Sequence, residues 1–253
     1  MSAGPPKRDR LREKPQLVAD ELRHLIVSGQ LTEGESLGRE PELIERFGVS
    51  RPSLREALRI LEAEGLITVV RGVHGGVVAH EPDERMTART AALVLQARNV
   101  PLADVYDART SLEPVAVRAI ASARSRKGAV AELRELIEAQ DAVIADPEAF
   151  GEANARFHER LVALGGNQTL TIVAEMLHEI VARAVTAASR TESTEKALAA
   201  RRRGIRSQAR LVDLLEAGDE TGAEEHWHQH MAVVGKVLLG PQAEHVVDLM
   251  DHY

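Results

Sequence analysis

The sequence predicts a mostly α-helical chain in two parts. The first is a small N-terminal domain of short helices with a strand pair, and the second is an antiparallel all-helical bundle domain. Three observations predict this. Apolar residues recur at helical spacing through most of the 253 residues. Strand-like runs are confined to one stretch, Leu66 to Val70 and Gly76 to Ala79, around a glycine-rich tip. Beyond residue 83, alanine, leucine, valine, arginine and glutamate dominate. There Pro101, Pro147, Gly165-Gly166, Gly218 and Gly240-Pro241 cut the chain into helix-length pieces.

The opening, residues 1–13, reads as a flexible polar arm: it has basic residues but no apolar core, so it is not a signal peptide. Residues 14–80 form the first domain. Within it, Leu17, Val18, Leu22, Leu25 and Ile26 give residues 16–28 a helical face, which Gly29 stops. Residues 40–47 make a short second helix with Leu43, Ile44 and Phe47 on one side. Gly48 suits the left-handed position that ends a helix and turns the chain. Ser50 is an N-cap and Pro52 sits in the first turn of a third helix, which runs to Glu64 and buries Leu54, Leu58 and Leu61. Two strands follow, joined by Arg71-Gly72-Val73-His74-Gly75, and His80 to Asp83 breaks the pattern. Residues 81–240 form the second domain, with helices at about 84–98, 102–123, 129–145, 148–164, 168–189, 194–217 and 220–239. Residues 241–253 are a C-terminal tail too short to interpret.

Composition removes whole classes of function. There is no cysteine, which excludes thiol catalysis, disulfide scaffolds and thiolate metal sites and fits a cytoplasmic address. Only six aromatic residues occur, too few to stack single-stranded bases. No apolar run is long enough to span a membrane. The net charge of −7 comes entirely from the region after residue 80; residues 1–80 hold twelve basic and twelve acidic side chains. In that neutral third, Arg51, Arg55 and Arg59 recur every four residues and make one basic stripe. Alone, such a stripe is a solvated helix face.

Its surroundings point elsewhere. Two short helices about a glycine turn, the second capped by serine and basic near its start, are the pattern of a helix-turn-helix. The strand pair adds a wing with Arg71 at its tip, where a guanidinium suits the narrow minor groove of duplex DNA. The stretch from Gly34 to Ala79, and above all FGVSRPSLREALRILEAEGLI (Phe47 to Ile67), resembles the winged helix-turn-helix domain of GntR-type transcription regulators. The resemblance places DNA contacts on Ser50, Arg51, Ser53 and Arg55 of the recognition helix and on Arg71 and Gly72 of the wing. One departure stands out. The family has a basic residue after the glutamate that precedes helix two, and here Glu40 is followed by Pro41, with Arg39 as a neighbouring substitute.

A winged domain followed by six or seven helices is similar to the FadR subfamily, whose second half is an FCD-like domain that binds an effector and dimerises. The helical faces can be read independently of that. Arg109 lies in an apolar stripe with Tyr106 and Leu112; Asn154 and His158, four apart, share a face with Phe157 and Leu161. Gln208 lies with Ile205 and Val212, and His230 with Trp227 and Val234. One inward histidine is ordinarily a satisfied core residue. Five inward polar groups from four helices predict a shared polar cavity, because a buried unpaired group costs about 1–3 kcal/mol. No acid lies on the stripe of Arg109; Glu113, one turn on, would have to turn inward to meet it.

The subfamily's metal-binding members carry Asp-x-x-x-His and two later histidines, and the matching positions here read Asn154, His158, Gln208 and His230. Two strong ligands have become amides. No cofactor is therefore required, and any divalent metal is held weakly, by His158 and His230, with His226 one turn away. The expected partners are a near-palindromic double-stranded DNA operator, a second copy of the chain in a homodimer, and a small anionic organic effector of carboxylate or acyl-CoA type that releases a repressor. Arg109, Asn154, His158, Gln208 and His230 are the expected effector-binding residues. Two other readings remain open. A dimeric scaffold would use the bundle without sensing anything. A helical-bundle metalloenzyme would use the Glu-x-x-His pairs Glu175/His178 and Glu225/His228, but a third copy at Glu21/His24 shows how common that spacing is. Arg201-Arg202-Arg203 reads as a solvated helix face.

Overall fold

The computed structural model describes the backbone of residues 7–70, 72, 75–188, 195–240 and 243–247. The chain divides into two compact units, Met1–Met86 and Thr87–Tyr253. The boundary expected at residues 80/81 falls just ahead of this division.

The first unit contains α1 (Lys7–Val27), β1 (Ser36–Gly38), α2 (Glu40–Phe47), α3 (Arg51–Ala63), β2 (Ile67–Val70) and β3 (Gly76–Ala79). Two expectations change. The first helix begins at Lys7, so the second half of the supposed arm is helical; Pro15 lies inside it. The wing also has a third strand, β1, in a sheet of order β1-β3-β2, where β3 pairs antiparallel with both neighbours. β1 is three residues long, too short for a periodicity to show. The core joins Val18, Ala19, Leu22 and Ile26 of α1 to Leu43, Leu54, Leu58 and Leu61 and to Ile67, Val77 and Ala79 of the sheet. Leu17 is 63% exposed and takes no part in it. Each of the fully buried leucines contributes about 1.5–3 kcal/mol.

The second unit holds the rest of α4 (Glu84–Ala97), then α5 (Leu102–Ser122), α6 (Arg126–Ala142), α7 (Pro147–Leu164), α8 (Gln168–Ala188), α9 (Glu195–Ala217) and α10 (Glu220–Leu239). These match the expected helices to within a few residues. α5 is central: its Tyr106, Val117 and Ile120 share one core with Phe157, Leu161, Ile180, Leu211, Leu215 and Trp227 of the surrounding helices. α10 lies so close to α5 that a methyl group added at Gly235 would meet the Tyr106 ring at 2.6 Å. The described part of the tail has a clear role. α5 starts after Pro101, whose side chain cannot cap it, and the free N–H groups of Leu102 and Ala103 donate instead to the carbonyls of His245 and Ala243, both at 2.9 Å. Val247, also in the tail, is buried.

Candidate functional sites: a basic recognition helix and a buried polar cluster

In the first unit the local sequence sets the geometry of α2 and α3. Gly48 ends α2 at φ 59°, ψ 36°, the left-handed conformation the sequence predicts. Ser50 then caps α3: its hydroxyl accepts from the Ser53 N–H at 3.3 Å and lies 2.8 Å from the Ser53 hydroxyl. Arg51 and Arg55 are exposed on α3, and Ser53 is half-buried beside them. Arg39 is exposed at the N-cap of α2, where its own N–H donates to Glu42 at 2.8 Å. Gly72 is exposed between the strands of the wing. Arg71, Val73 and His74 lie outside the described residues.

The structure adds a residue that sequence reasoning left without a role. Glu40 receives Arg55 in a forked pair, Nε to Oε1 at 2.6 Å and Nη2 to Oε2 at 3.3 Å. The hydrogen bond from Arg55 holds the Glu40 carboxyl below its ordinary range, with Arg55 and Arg51 adding their charge. Glu40 in turn keeps Arg55 more firmly protonated. Fifteen residues separate the two, so no helical spacing announces the pair.

In the second unit the five inward polar side chains lie in the bundle as expected, with Asn154 half-buried and the others buried. Glu113 was the one partner the sequence offered, as the acid that would have to turn inward; the others it did not show. Arg109 is neutralised after all: Glu113, 2% exposed, turns inward and accepts from Arg109 Nη2 at 2.8 Å. The same carboxylate accepts from His158 Nδ1 at 2.8 Å and from the Trp227 indole N–H at 3.0 Å. A carboxylate offers only acceptors, so Nδ1 of His158 carries the proton. Burial by itself raises the Glu113 carboxyl, but His158 and Arg109 outweigh it and hold it at about 2. The four groups form one buried hub across α5, α7 and α10. Arg109 is therefore balanced from inside the protein, and the expectation of an uncompensated arginine is corrected. The available signal was the i, i+4 spacing of Arg109 and Glu113.

His230 stacks on Trp227 at 4.4 Å between ring centroids and lies 6.4 Å from the His158 ring. Burial, with His158 nearby, lowers it to about 3, so it is neutral. His178 of α8, which sequence reasoning did not place in this cluster, is likewise lowered to about 3, by burial and then by Arg109 and His158. Its Nδ1 is buried without a hydrogen-bond partner among the described residues. Asn154 and Gln208 are joined: Gln208 Nε2 donates to Asn154 Oδ1 at 3.0 Å. Gln140 of α6, also missed, donates to Gln208 Oε1 at 2.9 Å.

This arrangement does not suit a divalent ion. The amide oxygens of Asn154 and Gln208 are both engaged by neighbouring amides. His226 is committed elsewhere, with Nε2 donating to the Ser207 carbonyl at 2.8 Å. Among the described residues, no group of three or more His, Asp or Glu side chains is placed to hold a metal. The arginine run of α9 also needs correction: Arg201 is not simply solvated, since its Nη1 donates to the Ile144 carbonyl at 2.8 Å and its guanidinium lies over Phe150, while Arg202 and Arg203 are exposed. No helix among the described residues is long and apolar enough to cross a membrane.

Comparison with known proteins agrees with both halves of this description. Residues 15–77 match the model of the bacterial regulatory proteins of the gntR family, and residues 104–233 match the FCD domain. The chain is 30% identical over 224 residues to the HTH-type transcriptional regulator YcbG of Bacillus subtilis, covering 88% of this chain and 89% of the relative. It is 27% identical over 154 residues to the HTH-type transcriptional repressor NanR of Cronobacter sakazakii, covering 60% of this chain and 58% of that one. A solved Streptococcus agalactiae GntR structure shares the fold at a TM-score of 0.63 and 19% identity, over 88% of this chain and 99% of the other. With a DNA-binding unit, an FCD unit and a relative of nearly the same extent, the chain is a transcription regulator rather than an enzyme, and it belongs to the GntR family with an FCD effector-binding domain.

Proposed function

We propose that the protein is a repressor that binds a near-palindromic operator as a homodimer, in the cytoplasm, and leaves it when a small organic acid enters the helical unit. The observation that carries the DNA half is α3: an N-capped helix that exposes Arg51 and Arg55 at the end which enters the major groove. Arg39, Ser50, Ser53, Arg71 and Gly72 are the further contacts. The repressor reading takes its support from the name of the partial relative NanR. For the sensing half, the support is the convergence of Arg109, Asn154, His158, Gln208 and His230 from four helices. Their charge is already balanced by Glu113, so an incoming acid must share Arg109 with that carboxylate rather than neutralise a bare cation. This favours an effector held by several hydrogen bonds, with an apolar body against Phe157 and Trp227.

A second reading has an observation in its favour. Because Arg109, His158, Asn154 and Gln208 all find partners inside the protein, a dimeric scaffold that senses nothing no longer needs a ligand to explain them. The orphan Nδ1 of His178 argues the other way. One experiment separates the two. Duplexes are first selected for binding from a random pool, and a panel of carboxylates and acyl thioesters is then screened for release of the selected duplex and for a shift in melting temperature. Release by a stabilising acid supports the sensor. Stabilisation by none of them, together with unchanged DNA binding, overturns it.

A further inference from the structure

We propose that the helical unit reads an oxygen atom of its effector directly, with no divalent ion between them, through a chain of three side-chain amides whose direction is set by Gln140. The proposal rests on the sensing reading above and adds the chemistry of the contact.

The chain runs across three helices. Gln140 of α6 is completely buried, and its Nε2 donates to Gln208 Oε1 of α9 at 2.9 Å. Gln208 Nε2 donates in turn to Asn154 Oδ1 of α7 at 3.0 Å. A primary amide has a donor end and an acceptor end, so amides joined in series must all point the same way. The backbone settles which way. Gln140 Nε2 also faces the Leu136 carbonyl at 3.5 Å. That carbonyl cannot turn round, and only the NH2 end of Gln140 can lie against it without setting two lone-pair-bearing oxygens together. The direction then passes to Gln208 and on to Asn154.

At the far end, the oxygen of Asn154 is used within the chain and its NH2 group is left. Asn154 is the half-buried member, one turn ahead of His158 on the same helix. The chain therefore presents a hydrogen-bond donor beside His158, whose Nδ1 is already held by Glu113. A donor there is complementary to a carboxylate, carbonyl or hydroxyl oxygen. A metal ion makes the opposite demand, since it needs lone pairs facing it. At the other end Gln140 Oε1 is buried with no partner among the described residues. Reversing the chain would not mend this: it would strand an N–H instead and turn an oxygen toward Leu136. Amides at these positions thus make the site a donor to an incoming oxygen rather than a weak metal site.

Two measurements on the full chain test this, and neither needs the effector. The first is side-chain amide exchange by 15N NMR, with Gln140→Leu and Gln208→Leu used to assign signals. Gln208→Leu should leave the exchange of the Asn154 NH2 protons unchanged, because in the proposed direction Asn154 receives from Gln208 and donates nothing to it. An Asn154 NH2 exchange that quickens about tenfold in Gln208→Leu, the factor for one lost net hydrogen bond, means that Asn154 donates to Gln208 and overturns the proposal. The second is titration with Zn2+, Ni2+ and Mn2+ alone. The wild type should show neither saturable binding nor a melting shift, while Asn154→Asp combined with Gln208→His should gain both. A stoichiometric ion that survives dialysis in the wild type overturns the proposal. If acids fail to bind but the exchange pattern and metal result hold, the sensing reading fails while the direction of the chain stands.

Discussion

The two units use their polar side chains in opposite ways. In the winged unit the described candidate DNA contacts lie outside the core, at the start of α3, at the N-cap of α2 and on the wing, and the core beneath them is apolar among the described residues. In the helical unit the candidate effector contacts lie inside or half-inside, and Arg109, Asn154, His158 and Gln208 are each hydrogen-bonded to a partner from another helix or another turn. An exposed pair such as Arg55–Glu40 is worth little to stability and is easily exchanged for a phosphate or a base. A buried hub such as Glu113 cannot be opened cheaply, because each group it releases is stranded in the core. Function in the first unit should therefore be separable from folding, and in the second it should not.

The largest expected effect comes from breaking the hub. Glu113→Ala leaves Arg109 charged and unpaired in the bundle, a loss of about 3–5 kcal/mol. The double substitution Arg109→Met with Glu113→Leu removes both charges and fills the space, and should cost far less than the single one. Urea denaturation followed at Trp227, the only tryptophan and a member of the hub, reads this unit alone. A Glu113→Ala protein as stable as the wild type would mean that the hub is not a unit.

Acid should find the same difference. Glu113 titrates at about 2 in the fold against an ordinary 4.5, so its contribution is complete above about 4.5 and is lost as the pH falls toward 2. His178 and His230 titrate at about 3 against 6.5. Between those values the unfolded chain binds protons that the folded one excludes, so stability falls as the pH drops from 6.5 toward 3. Both effects have the same sign and both lie in the helical unit. Acidification from pH 7 to 4 should lower the melting temperature reported by Trp227, and His230→Gln should reduce that fall. A Trp227 transition that is flat from pH 7 to 4 would contradict the burial of these two rings.

The same contrast decides what the sequence made legible. The winged unit could be read down to its caps because its determinants are local: Gly48, Ser50 and Pro52 act within one turn of where they stand. The helices of the second unit were equally legible from their periodicity. Its inward residues Arg109, Asn154, His158, Gln208 and His230 were legible too, as polar groups on apolar stripes. Their pairing across helices was not. Glu113 lies 45 residues from His158 and 114 from Trp227, and Gln140 lies 68 from Gln208. Spacing along one helix carries no information about partners on another. The pairing of Glu40 with Arg55, fifteen residues away, was hidden for the same reason.

On the exposed side, effects on binding should be large where effects on folding are small. Arg55→Ala should cost about 1–3 kcal/mol of operator affinity if the guanidinium grips a guanine, while its melting temperature stays close to the wild type because the pair it breaks is exposed. Glu40→Gln sharpens the comparison. It frees Arg55 and removes a negative charge beside the face of α3 proposed to meet DNA, so binding to unselected duplex should tighten and preference for the selected operator should fall. Fluorescence anisotropy on both duplexes across a salt series checks this, since phosphate contacts weaken steeply with salt. Equal binding of both duplexes by wild type and Arg55→Ala would remove α3 from the recognition surface.

The smallest effect tests the one residue that works on both sides of the divide. Ser50 caps α3 through its hydroxyl oxygen and is also a candidate phosphate or base contact. Ser50→Ala should lose about 1 kcal/mol of stability along with the cap, and its DNA affinity alone cannot say which role was lost. Ser50→Asp separates them. A carboxylate caps the Ser53 N–H as well as a hydroxyl does and interacts favourably with the positive end of the helix, so the melting temperature should return to the wild-type value. The same charge would face phosphate, so operator binding should fall below that of Ser50→Ala. If Ser50→Asp restores stability and DNA binding together, Ser50 serves only as a cap. Recovery of stability with loss of binding places its hydroxyl at the DNA, and shows that even a residue shared between folding and recognition can be divided in the exposed unit.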